Sequence, residues 1–228
     1  MALTQISTAG VKDDAVTAGK IPANAVGSSE LADNAVDTAA IADDAVTAAK
    51  IANNEDFNIN SVTVGKGANS VAGNTVLGES ALDAAVTGNF NTSIGKNSLT
   101  ANTAGDRNVA LGYETLFTNT VGDRNVAIGM QALYSQNPAS NTDMNNVAIG
   151  HSSAFNTTTG INNTAVGTNT LFANTTGSKN SALGYNSLDA NTTGENNTGI
   201  GGGALSSNTT ASNNTALGYA ALNANTTG

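Results

Sequence analysis

A nine-residue phrase, Asn-x-Ala-aliphatic-Gly-x-x-small-Leu, returns along this chain at a fixed interval, and the interval limits the folds open to it. Its glycines are Gly78, Gly95, Gly112, Gly129, Gly150, Gly167, Gly184, Gly201 and Gly218. They lie 17 residues apart except for Gly129 to Gly150, at 21, and an imperfect copy at Gly65 stands 13 residues before Gly78. So short a unit cannot bury its own apolar face, so copies must stack, and a solenoid is expected. Counted from the glycine, Asn stands four residues before, Ala two before, an aliphatic residue one before, Leu four after and Asn seven after. Ten after comes a second glycine column, Gly88, Gly105, Gly122, Gly160, Gly177, Gly194 and Gly228, within phrases such as Asn174-Thr-Thr-Gly177. These read as turns, because Gly accepts positive φ and Asn tolerates the left-handed region. Each coil is thus strand, tight corner, short strand through Leu, polar turn and return. With Gly65 included there are ten coils, spanning roughly 48 Å at strand spacing.

Strands such as Asn125-Val-Ala-Ile-Gly129 point successive residues to opposite faces, yet Val, Ala and Ile are all apolar. Strands apolar on both sides are buried on both sides. A coil has one interior, so the second face calls for another chain, with rows of Ala and Gly close to a shared axis. A homo-oligomer follows.

The first 54 residues obey a different period. Ala15, Ala25, Ala35 and Ala45 align at intervals of ten, as do Val16, Val26, Val36 and Val46, and Ile21, Leu31, Ile41 and Ile51. Aliphatic residues five apart fit neither a helix nor an alternating strand over any length. Two large apolar residues in ten are too few for a lone core, so this segment is expected to associate with copies of itself or to dock on another protein. Residues 55–61 carry neither repeat and form the expected junction; residues 62–228 form the roll.

Composition removes most chemistries. There is no Cys, no Trp and a single His, and only 11% of residues are charged. Without Cys there is no disulfide framework, thiolate nucleophile or ordinary structural zinc site. With 34 Asn and 31 Thr, the alphabet suits turns and strands. The formal net charge of −9 opposes nucleic-acid binding, and it is uneven, −6 in residues 1–56 and −3 in residues 57–228. The N-terminus lacks the basic and apolar regions of an export signal, and no run reaches the roughly 18 apolar residues of a membrane span.

The coils, among them Asn163-Thr-Ala-Val-Gly-Thr-Asn-Thr-Leu171 and Asn214-Thr-Ala-Leu-Gly-Tyr-Ala-Ala-Leu222, resemble the head repeats of trimeric adhesins and, at this longer spacing, repeats in the tail fibres of tailed bacteriophages. The decapeptides, such as Ala42-Asp-Asp-Ala-Val-Thr-Ala-Ala-Lys-Ile51, are similar to N-terminal repeats of such fibres, notably from cyanophages and other marine and freshwater phages. The resemblance implies an all-β protein, a parallel β-roll in an intertwined homotrimeric fibre. It implies a virion protein, made in the host cytoplasm, gripping tail adaptor or nozzle proteins through residues 1–54 and presenting a shaft for host adsorption. Receptor recognition would then lie beyond residue 228, where the last coil is expected to continue. Two alternatives are a bacterial trimeric surface adhesin, which predicts an export signal and a membrane anchor, and an ice-binding solenoid built on the Asn-Thr-Thr ladders.

No catalytic, cofactor or metal site is expected. His151 has no second His beside it, and Asp13-Asp14 and Asp43-Asp44 lack the spacing of a calcium loop. Gly201-Gly-Gly203 lacks the following Gly-Lys-Ser/Thr of a phosphate loop. Arg107, Arg124 and Lys179 share a column twelve after the glycine, and Asp106 and Asp123, preceding the arginines, predict an ion-pair ladder. The Asn-x-Thr triplets are read as turns and not as glycosylated positions. The candidate interaction ladder is Phe117, Tyr134, Phe155 and Phe172, each five residues after its glycine and expected to stack at roughly 4.8 Å per coil. Its competing assignments are a plug of the roll or interchain groove, and a strip that binds carbohydrate or a partner. Tyr113, Tyr185 and Tyr219 are expected at the surface, and the insertion, residues 135–144, as an outward loop.

Overall fold

The computed structural model describes residues 57–226 except residue 85, so the decapeptide columns, Asp13-Asp14, Asp43-Asp44 and Gly228 lie outside the described residues. The described chain is all-β with one 3-10 turn, Ala68–Ser70. Its strands are β1 (Phe57–Ile59), β2 (Val62–Gly65), β3 (Thr75–Gly78), β4 (Thr92–Ile94), β5 (Val109–Leu111), β6 (Gly122–Asp123), β7 (Val126–Ile128), β8 (Thr142–Asp143), β9 (Val147–Ile149), β10 (Thr164–Val166), β11 (Ser181–Leu183), β12 (Thr198–Ile200) and β13 (Thr215–Leu217).

From β3 onward the main sheet is a parallel β-solenoid, in the order β3-β4-β5-β7-β9-β10-β11-β12-β13. The 17-residue interval puts like on like: Ala110 pairs with Ala127, and Ala165 with Ala182. Nine parallel strands and eight steps span about 38 Å. The copy at Gly65 is not a coil. Four residues short of a full circuit, β2 returns antiparallel against β3, and β1, in the expected junction, runs antiparallel to β2. This cap replaces the tenth coil and shortens the expected 48 Å.

The interior is narrow. Ala110, Ala127, Ala148 and Ala165 project inward at 0% exposure and meet the leucine column, where Leu99, Leu116, Leu133, Leu171, Leu188 and Leu205 are equally sealed. The expectation that alanines line an interchain face is therefore corrected: a coil so thin has room for one large side chain from the turn wall only if the strand wall contributes a methyl group. Those leucines sit at positive φ, such as 49° at Leu116 and 52° at Leu188. Their backbone is held by coil-to-coil bonds such as Leu116 N–H to the Ala132 carbonyl, 3.1 Å.

Two asparagine ladders close the polar side of the interior. In the first, Asn163 Oδ1 accepts the Asn180 backbone N–H at 3.0 Å, while its Nδ2 donates to the Gly177 carbonyl at 2.9 Å. The same pair of bonds recurs at Asn91, Asn180 and Asn197. In the second, Asn191 Nδ2 donates to Asn174 Oδ1 and to the Gly194 carbonyl, at 3.0 and 3.1 Å. Buried amides are affordable here because each finds its partners in the same or the neighbouring coil.

At the corner the fold demands glycine. Gly201 has φ 129°, and a Cβ there would stand 2.3 Å from the Gly218 carbonyl oxygen. The insertion bulges only in part. Asn137 and residues 139–141 are exposed, but Gln136 and Met144 are fully buried, and β8 pairs in parallel with β6. Gln136 takes a place in the second asparagine ladder, reaching Asn119 Oδ1 at 3.4 Å and accepting from Asn146 Nδ2 at 3.1 Å.

Candidate interaction surfaces

The strand facet carries the most extensive candidate surface. With alanine turned inward, the residues three and one before each glycine turn outward. The column one before reads Leu77, Ile94, Leu111, Ile128, Ile149, Val166, Leu183, Ile200 and Leu217, and neither outward column contains a charged residue. Leu77, Leu111, Ile149, Leu183, Ile200 and Leu217 are among the exposed large apolar side chains, and Leu183 is 48% exposed. With Val109 these make seven exposed large hydrophobics in the two outward columns, while Tyr113, Met130, Tyr185 and Tyr219 lie beyond the corner, outside the strip. Over about 38 Å by roughly 10 Å, the strip covers some 400 Å², the size of the largest apolar patch on a typical single chain, which is often functional.

Beyond the corner lies the aromatic ladder. Phe117, Tyr134, Phe155 and Phe172 stack with centroids 5.0, 4.9 and 5.3 Å apart, their planes within 16° of parallel. Each contact contributes about 0.5–1.5 kcal/mol beyond burial. Phe117, Tyr134 and Phe155 are half-buried and Phe172 is 37% exposed, so in the single chain the ladder lies on a side facet and plugs neither end.

The charged column behaves differently from its expectation. Arg107 lies 3.8 Å from Asp106 and over the Phe90 ring at 5.6 Å, but Arg124 pairs with Asp143 and not with Asp123. The carboxylates instead fasten backbone: Asp106 Oδ1 accepts the Asn89 N–H and Asp123 Oδ1 the Asp106 N–H, both at 2.7 Å. Burial, first, and then the charges of Asp106 and Asp143 raise the Asp123 pKa against the opposing effects of the Asp106 N–H and Arg124. On the tyrosine column, a hydrogen bond with Glu114 raises the Tyr113 pKa.

His151 is exposed, its Nε2 3.5 Å from Ser152 Oγ. No group of three potential metal ligands occurs among the described residues, and none of their helices is long and apolar enough to cross a membrane. The first threonines of the Asn-Thr-Thr triplets donate their hydroxyl protons between coils, as in Thr175 Oγ1 to the Thr192 carbonyl and Thr192 Oγ1 to the Thr209 carbonyl, both 3.0 Å. That leaves fewer free donors for an ice-binding face.

No known family, characterised protein or solved structure matches this chain.

Sequence reasoning found the ring ladder and the glycine corners. It missed a side-chain cluster on the same facet, around Tyr185, Asp189 and Tyr219. The available signal was a double interruption: Asp189 where the aromatic column would continue, and Gly202 where the tyrosine column would.

Proposed function

We propose that this chain is a structural protein of a bacteriophage tail fibre, a homotrimer whose roll projects as a shaft while residues 1–54 grip an adaptor or nozzle protein of the tail. The observation that carries the reading is the uncharged strip of Leu, Ile and Val along the outer strand facet, exposed in one chain for the length of the solenoid. Its occupant is a second and third copy of the same strip. A periodic surface is matched best by a surface of equal period, and three such strips converging on one axis would cover one another. Exposed apolar surface of this extent contributes about 25 cal/mol for each Å² removed from water. The repeats' resemblance to fibre and adhesin sequences supports the trimer and its place in the virion. The chain's contribution is mechanical, without catalysis or cofactor. A bacterial surface adhesin would use the same trimer in another setting.

Attachment is tested by deleting residues 1–54 from the fibre gene. The expected result is a roll that keeps its melting temperature and its number of chains but is missing from assembled tails. Truncated fibres found in intact virions would contradict attachment through this segment.

A further inference from the structure

On the facet after the glycine corner, the ring column ends at Phe172 and its next position is Asp189. One coil on, Gly202 and Gly203 leave bare backbone, and an open cavity of about 250 Å³ forms over it. Tyr185 and Tyr219, one coil to either side of Gly202, wall the cavity, 62% and 90% exposed. Their backbones are two coil steps apart, about 9.6 Å, and the Tyr219 ring comes within 3.5 Å of where a Cβ on Gly202 would sit. At the base, Asn186 Oδ1 and Asp189 Oδ1 are shielded from solvent and accept no hydrogen bond. An acceptor buried without a donor costs about 1–3 kcal/mol.

We propose that this slot binds one pyranose ring of a carbohydrate. A sugar ring presents C–H faces that pack on aromatic rings and hydroxyl groups that donate hydrogen bonds, and the slot offers tyrosine walls beside the Asn186 and Asp189 side chains, whose unpartnered oxygens a rotation about the side-chain bonds would bring into it. The volume lies below the roughly 300–1,000 Å³ of sites that enclose larger ligands, which limits the occupant to about one ring. A nucleotide is disfavoured by the Asp189 carboxylate and the net charge of −9, both of which repel phosphate. Burial raises the Asp189 pKa, with its own and the Ala190 N–H pulling the other way, in keeping with a carboxyl that lacks a full set of partners. All the walls come from three consecutive coils of one chain, on the facet beyond the strand strip, so the slot does not depend on the trimer.

Saturation-transfer NMR on the full chain, with the methyl pyranosides of glucose, galactose, mannose and N-acetylglucosamine as probes, tests the proposal. The expected result is transfer to the ring protons of at least one of them. Its affinity should fall at least about tenfold, or 1.4 kcal/mol, in both Tyr185→Ala and Gly202→Leu, and stay unchanged in Tyr113→Ala, which alters the same column outside the slot. Gly202 has no neighbour closer than 3.5 Å to an added Cβ, and Tyr185 is a surface residue, so both variants are expected to fold. Absence of transfer from all four pyranosides, or transfer undiminished in both slot variants, would overturn the assignment. Measured beside the native mass, it separates the two proposals: a monomer that binds sugar keeps the slot and loses the fibre, and a trimer that binds none does the reverse.

Discussion

Inside each coil, the strand's middle residue meets a complete environment: Ala165 touches the leucine column and is fully buried by its own chain. Its neighbour in the same strand, Val166, belongs with Leu183 and Ile200 to a column that faces outward, and Leu183 is left 48% exposed. One three-residue strand thus has a finished side and an unfinished one. Stacking alone satisfies the backbone, the glycines and the asparagines, while the outer aliphatic residues are left uncovered in a single chain. The coil is the unit of folding, and the strip is the surface proposed for association.

The largest effect is expected at the corner. Gly201→Ala places a Cβ 2.3 Å from the Gly218 carbonyl at φ 129°, and the obstacle is backbone, so the coils must part. The expected loss exceeds about 4 kcal/mol by chemical denaturation, whereas Gly202→Ala next to it, with nothing nearer than 3.5 Å, should change stability by less than about 0.5 kcal/mol. Next comes the finished side. Asn163→Ala removes the acceptor of the Asn180 N–H and the donor to the Gly177 carbonyl, both buried, and should cost about 2–4 kcal/mol in the same assay. The smallest effect concerns Asp189, whose folded pKa lies above the ordinary 3.8 because burial disfavours its charge. Its stabilising share is present below pH 3.8 and is lost as pH rises through the folded value. Asp189→Asn should therefore raise the melting temperature slightly at neutral pH, with the gain vanishing in titrations toward pH 3.8.

Much of this was legible because the repeat enforces identical neighbours. Seventeen residues between glycines fixed the register, and five residues from glycine to ring fixed the Phe117 to Phe172 ladder. Other features depend on the third dimension. The alanines read as small residues for an interchain contact, but their size answers the leucine across the coil, a constraint that no single strand displays. Leu116 and Leu188 adopt positive φ although leucine has no preference for it, so only the closed circuit of the coil reveals the conformation. Val62–Gly65 carries the look of a strand and too few residues for a turn of the roll, which is why it became an antiparallel cap. Asp106 and Asp123 sit beside arginines in sequence, yet the backbone N–H one coil away is the closer and better-aligned partner.

Completion of the outer strip by other copies of the chain is tested by the native mass of the full protein in solution, measured by light scattering during size exclusion. The predicted result is three chains, falling to one folded chain in the double variant Leu183→Ser, Ile200→Ser. A wild-type protein that is folded and has the mass of a single chain would contradict it.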